Sequence, residues 1–386
     1  MCCILAEMES VSALHYYFSA WRLEHGTVMA STGKEDGTAA GAARQLGSMS
    51  LGESVERKGE PETKNEDDTN GTPTKLCSAC GEKSDTLKKC TACKCVWYCD
   101  KECQNKHRKE HKHECKPIKK ELAKRGGKLD LGTEEDLGPL PDLPPREECP
   151  ICMRPMPIHQ EHLRMFAVCC HKALCDGCVF QHDIKQTSGR WTCAFCRTAA
   201  PAETDEEILA RTRKRVECKD KNALSCMALW YGEGEHGLPV DQAKCIDLLR
   251  ESAGLGDPLA HLKLGTFYHN GEMGLKKDDE KARIHWEKAA ESGYLIARHH
   301  LGCAEAINGD FVAAMRHWRL SASGGHRGSM DNLIECFENG DLHHSDLAET
   351  LQAMYLAKAE LNSEGRDEYI KHLKKTGEYD KDYYEY

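Results

Sequence analysis

From about residue 220 onward, small and apolar residues recur in short stretches broken by Gly-rich turns, the pattern of paired amphipathic helices. The pattern also repeats. Ala223, Tyr231, Gly234, Gly237, Leu238, Asp241, Lys244, Ala253 and Gly256 return 37 residues later as Ala260, Tyr268, Gly271, Gly274, Leu275, Asp278, Lys281, Ala290 and Gly293. In a third unit Ala297, Leu301 and Gly302 keep the 37-residue offset, and Trp318, Ala322 and Gly325 follow Trp286, Ala290 and Gly293 by 32, so the loop between its helices is shorter. One helix hairpin cannot bury its own apolar face, so such units stack into a solenoid closed by capping helices. Residues 329–361, with Leu333, Phe337, Leu347, Leu351, Tyr355 and Leu361, read as the C-terminal cap, and 362–386 as a flexible charged tail. Ser252 stands where the later units have Ala, a near-equal in size.

Upstream the pattern changes character. Residues 27–76 are Gly, Ser, Thr, Glu and Lys with almost nothing to bury, so 1–76 is expected to be mostly disordered, although Tyr16, Tyr17, Phe18 and Trp21 gather near its start. Met1 and Met29 are both candidate starts. A first cysteine-rich segment covers 77–115, a polar stretch punctuated by Pro139, Pro141, Pro144 and Pro145 makes 116–147 a linker, and a second cysteine-rich segment covers 148–198. A charged helix is expected over about 204–218, ahead of a solenoid at 220–361. The fold class read from this order is mainly α: two small zinc-stabilised domains followed by an α-solenoid of helix hairpins.

Composition sharpens the chemistry. The chain has 23 Cys among 386 residues, sixteen of them between Cys77 and Cys196 and mostly in Cys-x-x-Cys pairs. Apolar Met1–Ala6 runs into Glu7 and Glu9 with no basic lead-in, so no secretory signal is read, and a reducing cytoplasmic or nuclear setting is expected. There structural zinc accounts for such cysteines better than disulfides do. No apolar run approaches the roughly 20 residues that span a bilayer, so no membrane partner is expected. A formal charge of -10 speaks against a simple nucleic-acid binder. The Lys-rich stretch from Lys83 to Lys120 fits a solvated face around anionic zinc-thiolate centres, since only Trp97 and Tyr98 are there to stack on bases. Phosphate-loop, metalloprotease and nucleophile-elbow motifs are all missing, which argues against a self-contained enzyme.

The first cluster supplies Cys77, Cys80, Cys90, Cys93, Cys99, Cys103, His111 and Cys115, eight ligands and therefore two closed four-coordinate sites. The second supplies Cys149, Cys152, Cys175, Cys178, Cys193 and Cys196, with Cys169, Cys170 and His171 as three candidates for the two remaining places. About four zinc ions per chain follow, with no open position for a catalytic water, and chelation should unfold 77–196 while the solenoid stays helical. Cys95 is left over, and His107 and His113 are read as solvated.

Three resemblances can be placed on these residues. The first cluster, with Tyr98-Cys99 and Cys103-Gln104 ahead of His111, resembles a MYND-type zinc finger. That resemblance implies interleaved ligands, Cys77, Cys80, Cys99 and Cys103 on one ion and Cys90, Cys93, His111 and Cys115 on the other, and docking of Pro-containing peptides. The second cluster resembles a RING-type zinc finger, whose cross-brace would join Cys149, Cys152, Cys175 and Cys178 on one ion and the middle pair with Cys193 and Cys196 on the other. Relatives that also carry helical repeats tend to read Cys-Cys-Gly-Lys in the middle, which favours Cys169 and Cys170. Ligase-type RING fingers orient a ubiquitin-conjugating enzyme and its thioester. By position, Ile151 would touch that enzyme, Arg197 would bridge enzyme and ubiquitin, and Trp191 would line the groove; Ala194 stands where the family commonly has Pro. The repeats, with Leu264, Gly265, Tyr268 and Gly271 and then Ala289, Ala290 and Gly293, resemble Sel-one-like repeats, relatives of the tetratricopeptide repeat. The combination is similar to proteins abundant in diatoms and related algae. Together the resemblances imply a zinc-dependent protein-interaction adaptor and RING-type ubiquitin ligase that holds its substrate on the solenoid, or a non-catalytic protein-binding scaffold.

Overall fold

The computed structural model describes residues 76–128, 137–156, 164–185, 192–199 and 204–377, apart from 85 and 168. The N-terminal segment expected to be disordered, Trp191 and the end of the tail lie outside the described residues. In chain order the elements are β1 (Lys88–Lys89), β2 (Trp97–Tyr98), α1 (Lys101–Lys124), β3 (Arg164–Phe166), β4 (Ala173–Cys175) and α2 (Asp176–Asp183). Ten helices follow: α3 (Asp205–Glu217), α4 (Lys221–Glu233), α5 (Gln242–Gly254), α6 (Pro258–Asn270), α7 (Asp279–Glu291), α8 (Leu295–Asn308), α9 (Phe311–Ser323), α10 (Arg327–Asn339), α11 (His344–Leu361) and α12 (Glu364–Thr376). β1 pairs antiparallel with β2, and β3 with β4. No helix among the described residues is long and apolar enough to cross a membrane.

The repeat register has a local physical cause at several of the matched residues. Asp241 and Asp278 are the N-caps of α5 and α7, accepting from the backbone N–H of Lys244 at 2.9 Å and of Lys281 at 3.0 Å. Gly234 and Gly271 end α4 and α6 in the left-handed region, at φ 76° and 72°. Lys244 and Lys281 place their ammonium groups over the rings of Tyr231 and Tyr268, at 4.0 and 5.4 Å. Gly309 and the N-cap Asp310 are adjacent in the third unit, which is how its loop is shortened.

Large and small residues face each other across each hairpin. A Cβ on Gly265 would sit 2.5 Å from the Trp286 indole, and one on Gly302 would sit 2.5 Å from that of Trp318. The first unit has Ala228 and Leu249 at the same register, a larger residue facing a smaller one, and both are fully buried. Gly302→Ala should therefore destabilise the chain by about 1–3 kcal/mol through overpacking, read as a lower denaturation midpoint followed by tryptophan fluorescence. Ser252 is more than a small residue. Its hydroxyl lies 2.9 Å from both Ser225 Oγ and Asp257 Oδ2, in a buried polar knot between α4 and α5.

Three segments are more ordered than the sequence reading allows. The first is α1, which passes Cys115 and carries Lys116–Lys124 of the stretch read as linker, despite Pro117. Its buried His107, His111, Glu114, Ile118, Glu121 and Leu122 form one stripe, turned toward α10 and α11. Second, residues 137–147 are extended but tied down. Leu137 is buried in the shared core, the Gly138 carbonyl accepts from buried Arg319 at 2.9 Å, and Arg146 donates to the Gly324 carbonyl at 3.4 Å. Third, the expected flexible tail contains α12, which crosses α2 nearly backbone to backbone at Gly177, where a Cβ would lie 2.6 Å from Arg366 N. Phe180 of α2 packs between Tyr369 and His372, with ring centroids at 5.5 and 5.1 Å, and Leu373 is buried.

Candidate metal centres

Four Cys-x-x-Cys turns share one backbone solution. The residue after each pair enters the left-handed region, Gly81 at φ 76°, Lys94 at 59°, Met153 at 54° and Arg197 at 62°. Its N–H returns to the carbonyl of the first cysteine, at 2.8, 3.0, 2.8 and 3.1 Å respectively. A β-bridge brackets each turn: Leu76 with Lys83, Lys89 with Trp97, Glu148 with Pro155, and Thr192 with Ala199. Non-glycine residues adopt this region at some cost in free energy, so three such turns in one chain mark a constraint, and pointing two sulfurs at one ion is that constraint.

Most of the remaining ligands sit at helix starts or one helical turn apart, whereas Cys169 and Cys170 lie in the turn between β3 and β4. Cys103 lies in the first turn of α1, where its N–H donates to the N-cap Asp100 at 2.8 Å. His111 and Cys115 follow on that helix at i, i+4, which places them on one face. Cys175 is the N-cap of α2, and Cys178 lies in its first turn.

The structure brings these atoms into four groups: Cys77, Cys80, Cys99 and Cys103; Cys90, Cys93, His111 and Cys115; Cys149, Cys152, Cys175 and Cys178; Cys169, Cys170, Cys193 and Cys196. Within each group all four ligand atoms lie within 4.8 Å of one another. Edges of these groups are 3.4 Å for Cys80 to Cys99, 3.9 Å for Cys90 to Cys115, 3.2 Å for Cys93 Sγ to His111 Nε2, 3.8 Å for Cys152 to Cys175, and 3.3 Å for Cys169 to Cys196. A zinc–sulfur bond of about 2.3 Å in a tetrahedron requires edges of about 3.8 Å. A disulfide requires about 2.05 Å, and all of these cysteines are free. The donor sets therefore fit zinc, with four protein ligands per site.

Crowded thiols also show why a cation belongs there. Close contacts with the Cys115 and Cys93 thiols drive the Cys90 pKa far down, while contacts with Cys90 and Cys93 drive Cys115 far up. Cys149 is driven down by Cys175 and Cys178, and Cys178 is pushed up by Cys149 in return. Without metal only some sulfurs can ionise together. A divalent cation removes that conflict.

Other side chains around the sites were invisible in the sequence. Tyr355 of α11 donates to Glu114 Oε2 at 2.8 Å and lies 3.3 Å from His111 Nδ1. Burial and the Glu114 carboxylate hold this phenol well above its ordinary range, so it stays an O–H donor. His344, also of α11, places Nε2 2.7 Å from the Cys93 carbonyl and 3.2 Å from Cys95 Sγ. Cys95 thus stays outside all four groups and is buried against the solenoid. His113 is exposed near Asp331 as expected, but His107 is buried, edge-on to Tyr355 at 4.1 Å, and burial pushes its pKa down to about 3. His171 is buried outside the fourth group, with no hydrogen-bond partner at either ring nitrogen. Of the expected partner-binding residues, Ile151 is 41% exposed and Arg197 is exposed, with Nη1 2.7 Å from His182 Nδ1 on α2. Met153, Ile184 and Phe195 add further exposed apolar surface to this module.

Comparison with known proteins divides along the same boundaries. Residues 77–115 match the MYND finger, and 222–257 and 258–294 each match the Sel1 repeat. A histone-lysine N-methyltransferase of Arabidopsis thaliana, ASHR1, is 48% identical over 42 residues, which is 11% of this chain and only 8% of that protein. Among solved structures, a Sel1 repeat protein from Oxalobacter formigenes is 26% identical, aligned over 33% of this chain and 97% of its own, with a TM-score of 0.30. The protective antigen c5321 of uropathogenic Escherichia coli is 23% identical over 44% of this chain and 36% of its own, with a TM-score of 0.34. The chain thus carries a MYND finger and at least two Sel1 repeats, joined by a second cysteine module whose donor groups also suit zinc.

Proposed function

We propose that this chain is a zinc-dependent protein-interaction adaptor whose second cysteine module acts as a RING-type ubiquitin ligase. All sixteen grouped residues serve as structural zinc ligands in this reading. The MYND finger and the repeats recruit protein partners, Pro-containing peptides on the former and the substrate on the latter. The observation that carries the ligase reading is the second module's donor pattern: first and third pairs share one group, second and fourth share the other, and exposed Ile151 and Arg197 flank the first and last knuckles. Such a module contributes no covalent step. It holds a charged conjugating enzyme and restricts its flexible thioester-linked ubiquitin to reactive poses.

The test is single-turnover discharge of ubiquitin from charged conjugating enzymes by the full chain. Ile151→Ala should weaken docking by about 1–3 kcal/mol, as for a buried apolar anchor. Arg197→Ala should slow discharge while leaving docking nearly unchanged, because a bridge between enzyme and ubiquitin matters most in the reactive pose. A non-catalytic scaffold is the second reading, and one contact favours it: the Arg197 guanidinium is already engaged by His182. No acceleration with any conjugating enzyme, from protein holding its full zinc complement, selects the scaffold.

A further inference from the structure

We infer that the MYND finger is built into the solenoid as a zinc-dependent end cap, with Tyr355 and His344 of α11 acting as positioning residues for the Cys90, Cys93, His111 and Cys115 site. This inference rests on the zinc-ligand reading above and goes beyond it. The core supplies the first argument. Cys90, Cys93, Cys95, Val96 and Tyr98 of the finger, with Ile118 and Leu122 further along α1, belong to one continuous buried cluster with Trp318, Leu333, Phe337, Leu347 and Tyr355 of the last helices. A finger merely tethered to the repeats would have its own core.

Hydrogen-bond direction supplies the second argument. The single hydrogen of the Tyr355 phenol is committed to the Glu114 carboxylate, so the contact to His111 is one in which Nδ1–H donates to the phenol oxygen. That fixes the tautomer. Nε2 is left with its lone pair, and it faces the sulfurs, 3.2 Å from Cys93 Sγ. Outer partners of this kind orient a ligating imidazole and raise its basicity, and their loss typically lowers metal affinity about 10–100-fold. On the sulfur side, a carbonyl only accepts, so His344 Nε2–H donates to Cys93 O and pins the knuckle that carries Cys90 and Cys93. Tyr355, Glu114 and His344 are all buried.

Linkage makes the coupling reciprocal. Whatever factor α11 adds to zinc affinity at this site, zinc adds to the docking of α11. At the Cys77, Cys80, Cys99 and Cys103 site, half exposed, α11 reaches only the Leu76 carbonyl, through Gln352 at 3.1 Å and not through a ligand residue, so this site serves as the internal control.

The experiment uses the intact chain with Tyr355→Phe, which removes one oxygen and keeps the ring, and His344→Gln as the second variant. Zinc retention is followed by native mass spectrometry against a graded competing chelator, and Co²⁺ substitution reports the ligand set, since a Cys₃His site absorbs differently from Cys₄ sites. The expected result is that one ion of the four leaves at about 10–100-fold lower chelator concentration in Tyr355→Phe, with the Cys₃His signature lost first. Reciprocally, Cys115→Ser should speed hydrogen exchange across 344–361, and Cys80→Ser should not. Wild-type release curves in both variants, from chains that hold four ions, would overturn the inference alone. A wild-type chain without a Cys₃His signature would overturn the ligand reading with it.

Discussion

Removing zinc with a strong chelator should unfold both cysteine modules and also release the last repeat helices, while the middle repeats stay folded. The expectation follows from how little else these modules have. Among the described residues the second module's core cluster is small: Cys149 and Cys175, themselves ligands, accompanied by Met156 and Ala173. Each closed zinc site typically supplies about 10–16 kcal/mol of folding free energy, so the apo modules have no folded alternative. The sequence alone suggested that the solenoid would be indifferent. Its last helices share a core with the finger, however, and α1 reaches past the finger to place Arg125 over the Phe337 ring at 4.2 Å, near the end of α10. Hydrogen exchange should therefore rise to nearly unprotected rates over 76–128 and 148–199, rise partly over 327–361, and remain slow over 221–308. Unchanged protection at 327–361 in zinc-free protein would show the finger to be an appendage.

The second large effect is expected from Trp286→Ala, at about 3–5 kcal/mol of stability. Trp286 is buried on α7, with its indole against the bare backbone of Gly265 and its ring near His269 and His300, at centroid distances of 5.3 and 5.1 Å. The glycine facing it has no side chain to move, and the neighbouring Ala282, Ala289 and Ala290 are small and buried. Neighbours in a linear array carry such a loss locally, so the variant should melt earlier by circular dichroism yet retain its zinc. A melt unchanged from wild type would mean that α6 and α7 do not pack in this phase.

Why these features were legible, and others not, has a physical explanation. The repeat register could be read because Asp241, Asp278, Gly234 and Gly271 answer to local backbone demands, caps and left-handed turns that any chain must satisfy with a short list of residues. The cysteine knuckles could be read because two sulfurs on one ion dictate their own spacing. Local pattern says nothing about Tyr355 or His344, which meet His111 and Cys93 only after some 240 residues of intervening chain have folded. Each reads as an ordinary helix residue until then. Lys116–Lys124 looked like linker because Pro117 and the lysines mask the end of the buried stripe, Ile118, Glu121 and Leu122, and that stripe acquires meaning only against α10 and α11. Tyr369 and His372 looked like a fraying tail because their partner, Phe180, lies on another module. Long-range packing, and not propensity, decided each of these.

Four zinc centres, each held by four protein ligands, are the central claim, and native mass spectrometry of freshly purified chain tests it most directly. The account predicts four ions in the wild type and three when Cys80, Cys115, Cys152 or Cys196 is individually replaced by Ser, one substitution for each group. Two ions or fewer in the wild type, or a single substitution that sheds two ions from one module while its partner group stays folded, would contradict it.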